Sequence, residues 1–197
     1  GTNQVADTVS LGAGDDQVTF THASDLTDAD VVDGGAGTDT VKVLQDVSDV
    51  DFMNVSNVET LTLDDAGTSA DVFGAYFNAT GITTVNLNTN AISTVDASGT
   101  TGNITYISGA AQHENVKGGL GNDTFVFSGS LLTEGTGDAI DGGAGIDTIV
   151  LDNSAGTVNA GINLTNKVKN VEKIVIKDAD GSNTSTADTI TLDIDGG

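Results

Sequence analysis

Acidic residues recur in pairs nine positions apart, and an apolar residue stands two places after every one of them. The pairs are Asp7/Asp16, Asp30/Asp39, Glu114/Asp123 and Asp138/Asp147, and the apolar residues are Val9, Val18, Val32, Val41, Val116, Phe125, Ile140 and Ile149. The second member of each pair sits sixth in a stretch patterned Gly-Gly-x-Gly-x-Asp-x-apolar-x. The four stretches are Leu11-Gly12-Ala13-Gly14-Asp15-Asp16-Gln17-Val18-Thr19, Gly34-Gly35-Ala36-Gly37-Thr38-Asp39-Thr40-Val41-Lys42, Gly118-Gly119-Leu120-Gly121-Asn122-Asp123-Thr124-Phe125-Val126 and Gly142-Gly143-Ala144-Gly145-Ile146-Asp147-Thr148-Ile149-Val150. Leu11 is the one departure from the pattern. A period this short leaves room for one glycine turn and one short strand, which together make half of a stacked coil.

The residue types in the turn select a ligand. Glycines let the backbone take positive φ and aim its carbonyls at one point, and the sixth-place aspartate adds a charged oxygen. A hard cation binds an all-oxygen cage of this kind. The expected metal ligands are therefore the loops 11–14, 34–37, 118–121 and 142–145 with Asp16, Asp39, Asp123 and Asp147, joined by Asp30 and Asp138 from glycine-poor loops. Asp7 and Glu114 occupy equivalent places, and Asp33 and Asp141 stand at the loop edges. After each turn the pairs Val18/Phe20, Val41/Val43, Phe125/Phe127 and Ile149/Leu151 alternate as in a strand with one apolar face.

Composition narrows the ion and the partners. With 29 acidic against 6 basic residues the net charge is −23, which excludes nucleic acid as a partner and favours cations. There is no cysteine, so neither a disulfide framework nor a zinc thiolate site is available, and calcium is the remaining staple. The absence of proline suits an uninterrupted hydrogen-bonded ladder. At 37% hydrophobic residues the chain supports a thin, elongated core, and no stretch is long enough for a transmembrane segment. The expected fold is all-β: a right-handed parallel β-roll or β-helix solenoid with calcium-binding loops.

The chain also repeats on a larger scale. Asp39 follows Asp16 by 23 residues and Asp147 follows Asp123 by 24, so each group reads as two stacked coils with Asp16 over Asp39 and Asp123 over Asp147. The five or six residues beyond an 18-residue turn, around Thr21 to Ser24 and Ser128 to Leu132, are expected to bulge to one side. Asn57-Val58-Glu59-Thr60-Leu61 returns as Asn170-Val171-Glu172-Lys173-Ile174, which marks an internal duplication. The expected division is a first solenoid unit at 1–112, with calcium coils at 2–43 and metal-free rungs at 57–112. A second unit at 113–197 has calcium coils at 113–151 and rungs at 170–197, and its close on Asp195-Gly196-Gly197 reads as the opening of another repeat in a longer protein. Residues 84–87, 93–96 and 104–107 read as metal-free rungs.

Other residues with chemical potential are few. Glu59 and Glu172 match between the copies, but each begins a strand with no acid or base nearby, so a structural role is expected. His113-Glu114 lacks the second histidine of a zinc-protease helix, since position 117 is Lys117. No serine elbow or phosphate loop is present, and no catalytic residue is expected. Val72, Phe73, Tyr76 and Phe77 fall at helical spacing behind Ser69, which predicts a short helix or flap over the core, with a contact surface for another subunit as the functional alternative.

The four nonapeptides resemble those of the repeats-in-toxin (RTX) proteins. The layout of 11–19, then Asp33-Gly34-Gly35-Ala36-Gly37-Thr38-Asp39, then Val58-Glu59-Thr60-Leu61 is similar to RTX surface-layer (S-layer) proteins of bacteria. That resemblance implies type I secretion, calcium-driven folding outside the cell, self-assembly with identical subunits at the cell surface, and attachment to cell-surface polysaccharide through another region. It also implies calcium cages built from loop carbonyls and sixth-place aspartates of stacked turns. An RTX adhesin stalk and the calcium-binding accessory region of a secreted hydrolase share the same scaffold.

Overall fold

The computed structural model describes residues 5–22, 25–64, 69–87, 93–109, 114–128, 139–152, 162–163, 167–177 and 190–191. Asp138, His113, the residues 23–24 and 129–132 of the two insertions, and the tail from 192 onward lie outside these.

Short strands account for the described chain. They are β1 (Thr8–Ala13), β2 (Gln17–Phe20), β3 (Val31–Ala36), β4 (Thr40–Val43), β5 (Val55–Ser56), β6 (Thr60–Leu63), β7 (Asp71–Val72), β8 (Thr84–Leu87) and β9 (Ser93–Asp96). The second half continues with β10 (Thr105–Ser108), β11 (Glu114–Lys117), β12 (Thr124–Ser128), β13 (Ala139–Asp141), β14 (Thr148–Asp152), β15 (Ile162–Asn163), β16 (Val168–Lys169), β17 (Lys173–Lys177) and β18 (Ile190–Thr191). One eight-stranded parallel sheet runs β2-β4-β6-β8-β10-β12-β14-β17, and it faces β1-β3-β5 and then β7-β9-β11-β13-β16. Each coil of this stack contributes one strand to each face, which is the parallel β-solenoid expected from the repeat, while β15 and β18 pair in a separate two-stranded parallel sheet. The rungs at 84–87, 93–96 and 105–108 pair with those before and after them, so plain coils continue the ladder that the glycine coils begin.

Register explains the core. Val18, Val41, Leu61, Val85, Tyr106, Phe125, Ile149 and Ile174 lie one above another in the eight-stranded sheet. Val95, Val116, Ile140 and Val168 form a facing column. Side chains at alternate positions point inward, so each rung adds one or two apolar residues to a narrow spine. Tyr106 stacks on Phe125 with ring centroids 5.2 Å apart. Its hydroxyl is buried without a partner, and burial followed by the nearby Asp123 and Asp147 carboxylates pushes its ionisation far above the usual phenol range.

The aromatic segment departs in part from the sequence expectation. Val72 ends β7, and the aromatic segment that follows holds a single turn of 3-10 helix at Phe77–Ala79 rather than a longer helix. Phe73 and Phe77 stack at 4.3 Å, Phe52 meets both edge-on, and all three are buried. The 3-10 turn of Asp49–Phe52 delivers Phe52 from the previous coil, and Asp49 accepts the N–H groups of Gly74 and Phe77. Phe73 and Phe77 are therefore core rather than a contact surface, and Tyr76 and Val72 are the exposed members. Just after the first insertion, Leu26 is 1% exposed, and the buried Gln45 amide accepts Asp25 N–H and donates to Leu26 O.

Because its hydroxyl has no partner, Tyr106→Phe should leave stability in saturating calcium unchanged or raise it by about 1 kcal/mol. Phe125→Ala in the same column should cost about 3–5 kcal/mol. Urea denaturation followed by circular dichroism measures both, and a loss in Y106F as large as in F125A would show that the hydroxyl is held.

Candidate metal centre

The loops at 11–16, 34–39 and 142–147 share one backbone. In each, the second and fourth residues take positive φ, between 96° at Gly143 and 144° at Gly37. Close stacking adds a second demand for glycine, since a Cβ on Gly35 would collide with the carbonyl of Gly12 in the coil before. The pairing of Gly12 with Gly35 and Ala13 with Ala36, and the bond from Gly14 N–H to Ala36 O at 2.8 Å, hold the first two loops in register.

The loop at 118–123 departs from the other three. None of Gly118, Gly119 and Gly121 has positive φ. Gly119 N–H turns inward to Asp123 Oδ2 at 2.9 Å, and Leu120 N–H bonds to Thr100 O of the plain coil before it. Its neighbour on that side is a Thr-Thr-Gly-Asn turn rather than a second glycine loop, so the loop closes on its own aspartate.

The sixth-place aspartates form a ladder. Asp16 N–H donates to Asp39 Oδ1 at 2.9 Å, and Asp39 N–H donates to Glu59 Oε2 at 2.8 Å. In the second group Ile104 N–H donates to Asp123 Oδ1 at 2.8 Å, Asp123 N–H to Asp147 Oδ1 at 2.6 Å, and Asp147 N–H to Glu172 Oε2 at 2.7 Å. Each carboxylate therefore caps the backbone of the rung before it. A parallel ladder uses the fifth place, where Asp15 Oδ1 accepts Thr38 N–H and Asn122 Oδ1 accepts Ile146 N–H, both at 2.8 Å.

This arrangement buries negative charge. Asp39 is 0% exposed, Asp123 and Asp147 are each 1% exposed, and Oδ2 of both Asp39 and Asp147 is buried with no hydrogen-bond partner. Desolvation raises the pKa of Asp123 against the opposing bonds from Gly119 and Ile104. Asp147 is likewise raised, first by desolvation and then by the charges of Asp123, Glu172 and Asp141. A carboxyl whose folded pKa exceeds its unfolded value stabilises the fold below the unfolded pKa, and that contribution is lost as pH rises through the folded pKa. Burial thus disfavours the charged form of both carboxylates, and a cation beside them would favour it.

The donor set fits an oxygen-preferring divalent ion. Among the described residues no three His, Cys, Asp or Glu side chains converge as a metal site, so backbone carbonyls of the glycine loops must complete the coordination around single aspartates. Asp39 and Asp147 would hold the ion with their free oxygens, which would supply the positive charge that the ladder lacks. Asp16 sits half-buried on the same ladder in the first loop.

Of the remaining expected ligands, Asp138 lies outside the described residues, and Asp30, Glu114, Asp33 and Asp141 have hydrogen-bond partners of their own. Asp30, on the strand entering β3, accepts Asp7 N–H with Oδ1 and both Thr27 N–H and Thr27 hydroxyl with Oδ2. Glu114 is buried and accepts Ser108 Oγ at 2.9 Å. Asp33 and Asp141 each accept the side-chain amide of an asparagine, Asn57 at 2.8 Å and Asn170 at 2.7 Å. Those two asparagines are the non-glycine residues with positive φ among the described residues, 52° and 50°. The role of Glu59 and Glu172 in closing the ladder was not visible from spacing, although their alignment two places before Leu61 and Ile174 was the available signal.

Asp39→Asn and Asp147→Asn should each lower calcium affinity by about tenfold or more, because a charged ligand is lost from a loop of matching geometry. Asp28→Asn, an exposed residue off the ladder, should leave it unchanged. Calorimetric titration in which all three lose affinity equally would indicate diffuse counter-ion attraction instead.

Residues 24–42 match the family model described as RTX calcium-binding nonapeptide repeat, a span that includes the loop closed by Asp39. No curated protein and no solved structure matches the chain. The left-handed glycine loops, the carboxylate ladder and this match agree, and the chain carries a calcium-binding nonapeptide repeat of the RTX kind.

Proposed function

We propose that the chain is a calcium-stabilised structural segment of an extracellular surface-layer or filament protein, secreted to the cell surface and assembling with identical copies. The observation that carries this reading is the eight-stranded parallel ladder, whose rungs change from glycine coils to plain coils and back while pairing continues. A rod of this kind provides length and a repeated lateral surface. Calcium in its loops lowers the self-repulsion of a chain with net charge −23, which acts over a Debye length of roughly 10 Å at 0.1 M salt.

Catalysis lies outside this role. Glu59 and Glu172 are committed to backbone N–H groups, and His22 pairs with Asp25 at the surface. No helix among the described residues is long and apolar enough to cross a membrane. Contacts between copies would use apolar side chains presented by the loops, of which Leu120 and Ile146 are 61% and 64% exposed.

Electron microscopy of the full-length protein tests the proposal. Sheets or filaments that form with calcium and disperse on chelation are expected. Isolated rods at every calcium concentration would rule it out and leave the adhesin-stalk reading.

A further inference from the structure

Among the described residues Asp39, Asp46 and Asp147 each have a buried oxygen with no hydrogen-bond partner, and Asp39 and Asp147 occupy the same place, the last glycine loop before an Asn-Val-Glu rung. Asp123, whose next rung is another glycine loop, has both oxygens bonded. The closing rung is built alike in the two copies. Asn57 and Asn170 take positive φ, their amides hold Asp33 and Asp141, and Glu59 and Glu172 each hold the N–H of the closing aspartate with Oε2.

We propose that each glycine-loop stack ends in a cation seat between its last aspartate and the Asn-Val-Glu rung, with Glu59 and Glu172 supplying the second carboxylate for a calcium-like divalent ion. The proposal rests on the reading that the glycine loops bind calcium, and it extends the ligand set to residues outside any nonapeptide.

The geometry around Gly34 and Gly142 supports it. A Cβ on Gly34 would lie 2.9 Å from Asp39 Oδ2 and would collide with Asn57 O. A Cβ on Gly142 would likewise meet Asp147 Oδ2 and Asn170 O. Gly118 shows the same approach of Asp123 Oδ2 and Gly142 O, but there Gly119 N–H holds the carboxylate oxygen, whereas at the two closing rungs it is left without a partner. An unpaired buried carboxylate oxygen is costly, and its recurrence at two equivalent positions argues for a ligand that compensates it. Oε2 of each glutamate is fixed on the backbone N–H of the closing aspartate, and among the described residues Oε1 makes no hydrogen bond. Asp and Glu together carry two negative charges, which one divalent ion neutralises, and water can complete a shell of six to eight oxygens. Glu59 is half-buried and Glu172 exposed, so the seat opens to solvent on the glutamate side.

Glu59→Gln and Glu172→Gln test this, because the amide oxygen still accepts the aspartate N–H while the charge is removed. Calcium binding by the 197-residue chain is counted by equilibrium dialysis with radiolabelled calcium, with circular dichroism in saturating calcium as the control for folding. Each variant should bind one fewer ion, or bind one ion at least tenfold more weakly. An unchanged count and affinity in both variants, while Asp39→Asn and Asp147→Asn weaken binding, overturns the closing seat and leaves the glycine loops intact. Absence of calcium binding by the parent chain overturns the loop reading itself. Should either variant lose its β spectrum, crystals of the parent grown in calcium decide: anomalous peaks beside Glu59 and Glu172 are expected, and peaks confined to the glycine loops contradict the proposal.

Discussion

The ladder of carboxylates along the turn edge is the interaction on which the rest of this structure depends. Each rung hands its backbone N–H to an acidic side chain of the next, so a hydrogen bond that elsewhere belongs to the sheet is continued through the turn by Asp39, Asp123, Asp147, Glu59 and Glu172. Charge-assisted bonds of this type are short and strong. They also set like charges side by side, and the charges of Asp123, Glu172 and Asp141 disfavour ionisation of the buried Asp147. The same feature therefore sets the register and creates the need for a cation.

Glycine resolves a geometric conflict in that ladder. Where the second and fourth loop residues are left-handed, the loop N–H groups turn away from the aspartate and one carboxylate oxygen stays free, as in Asp39 and Asp147. Where they are not, Gly119 N–H satisfies Asp123 internally. Loop conformation thus decides whether an aspartate serves the backbone alone or is also open to a metal. The apolar spine is only one or two residues thick per rung, and a solenoid gains its stability mainly from contacts between neighbouring rungs. Ion binding at two places along such a stack is then coupled to the order of the coils on either side.

Much of this was legible in the sequence. The nine-residue recurrence with its apolar partner fixes a turn and a strand, the 23- and 24-residue offsets fix which loops stack, and the structure pairs Val18 with Val41 and Phe125 with Ile149 accordingly. What could not be read were effects that depend on the neighbouring coil. The loop at 118–123 has all the glycines of the pattern, but the coil before it offers Thr100 rather than a glycine loop, and the backbone settles differently. Phe73 and Phe77 fall at helical spacing because a tight 3-10 turn brings both onto Phe52, a partner contributed from twenty residues away or more. Glu59 and Glu172 look like ordinary strand residues until the register places them beside Asp39 and Asp147. Gln45 holds Leu26, just after the first insertion, through a bond between distant residues, which no local pattern encodes.

The central claim is that cation binding and folding are one event, because a ladder that buries Asp39, Asp123 and Asp147 on a chain of net charge −23 needs a compensating ion. Circular dichroism of the calcium-stripped chain at neutral pH, titrated with calcium, measures this directly. The account predicts a largely unfolded spectrum that converts to β structure over roughly 0.1 to 1 mM calcium, the range of extracellular calcium modules. An unchanged β spectrum in excess chelator would contradict it.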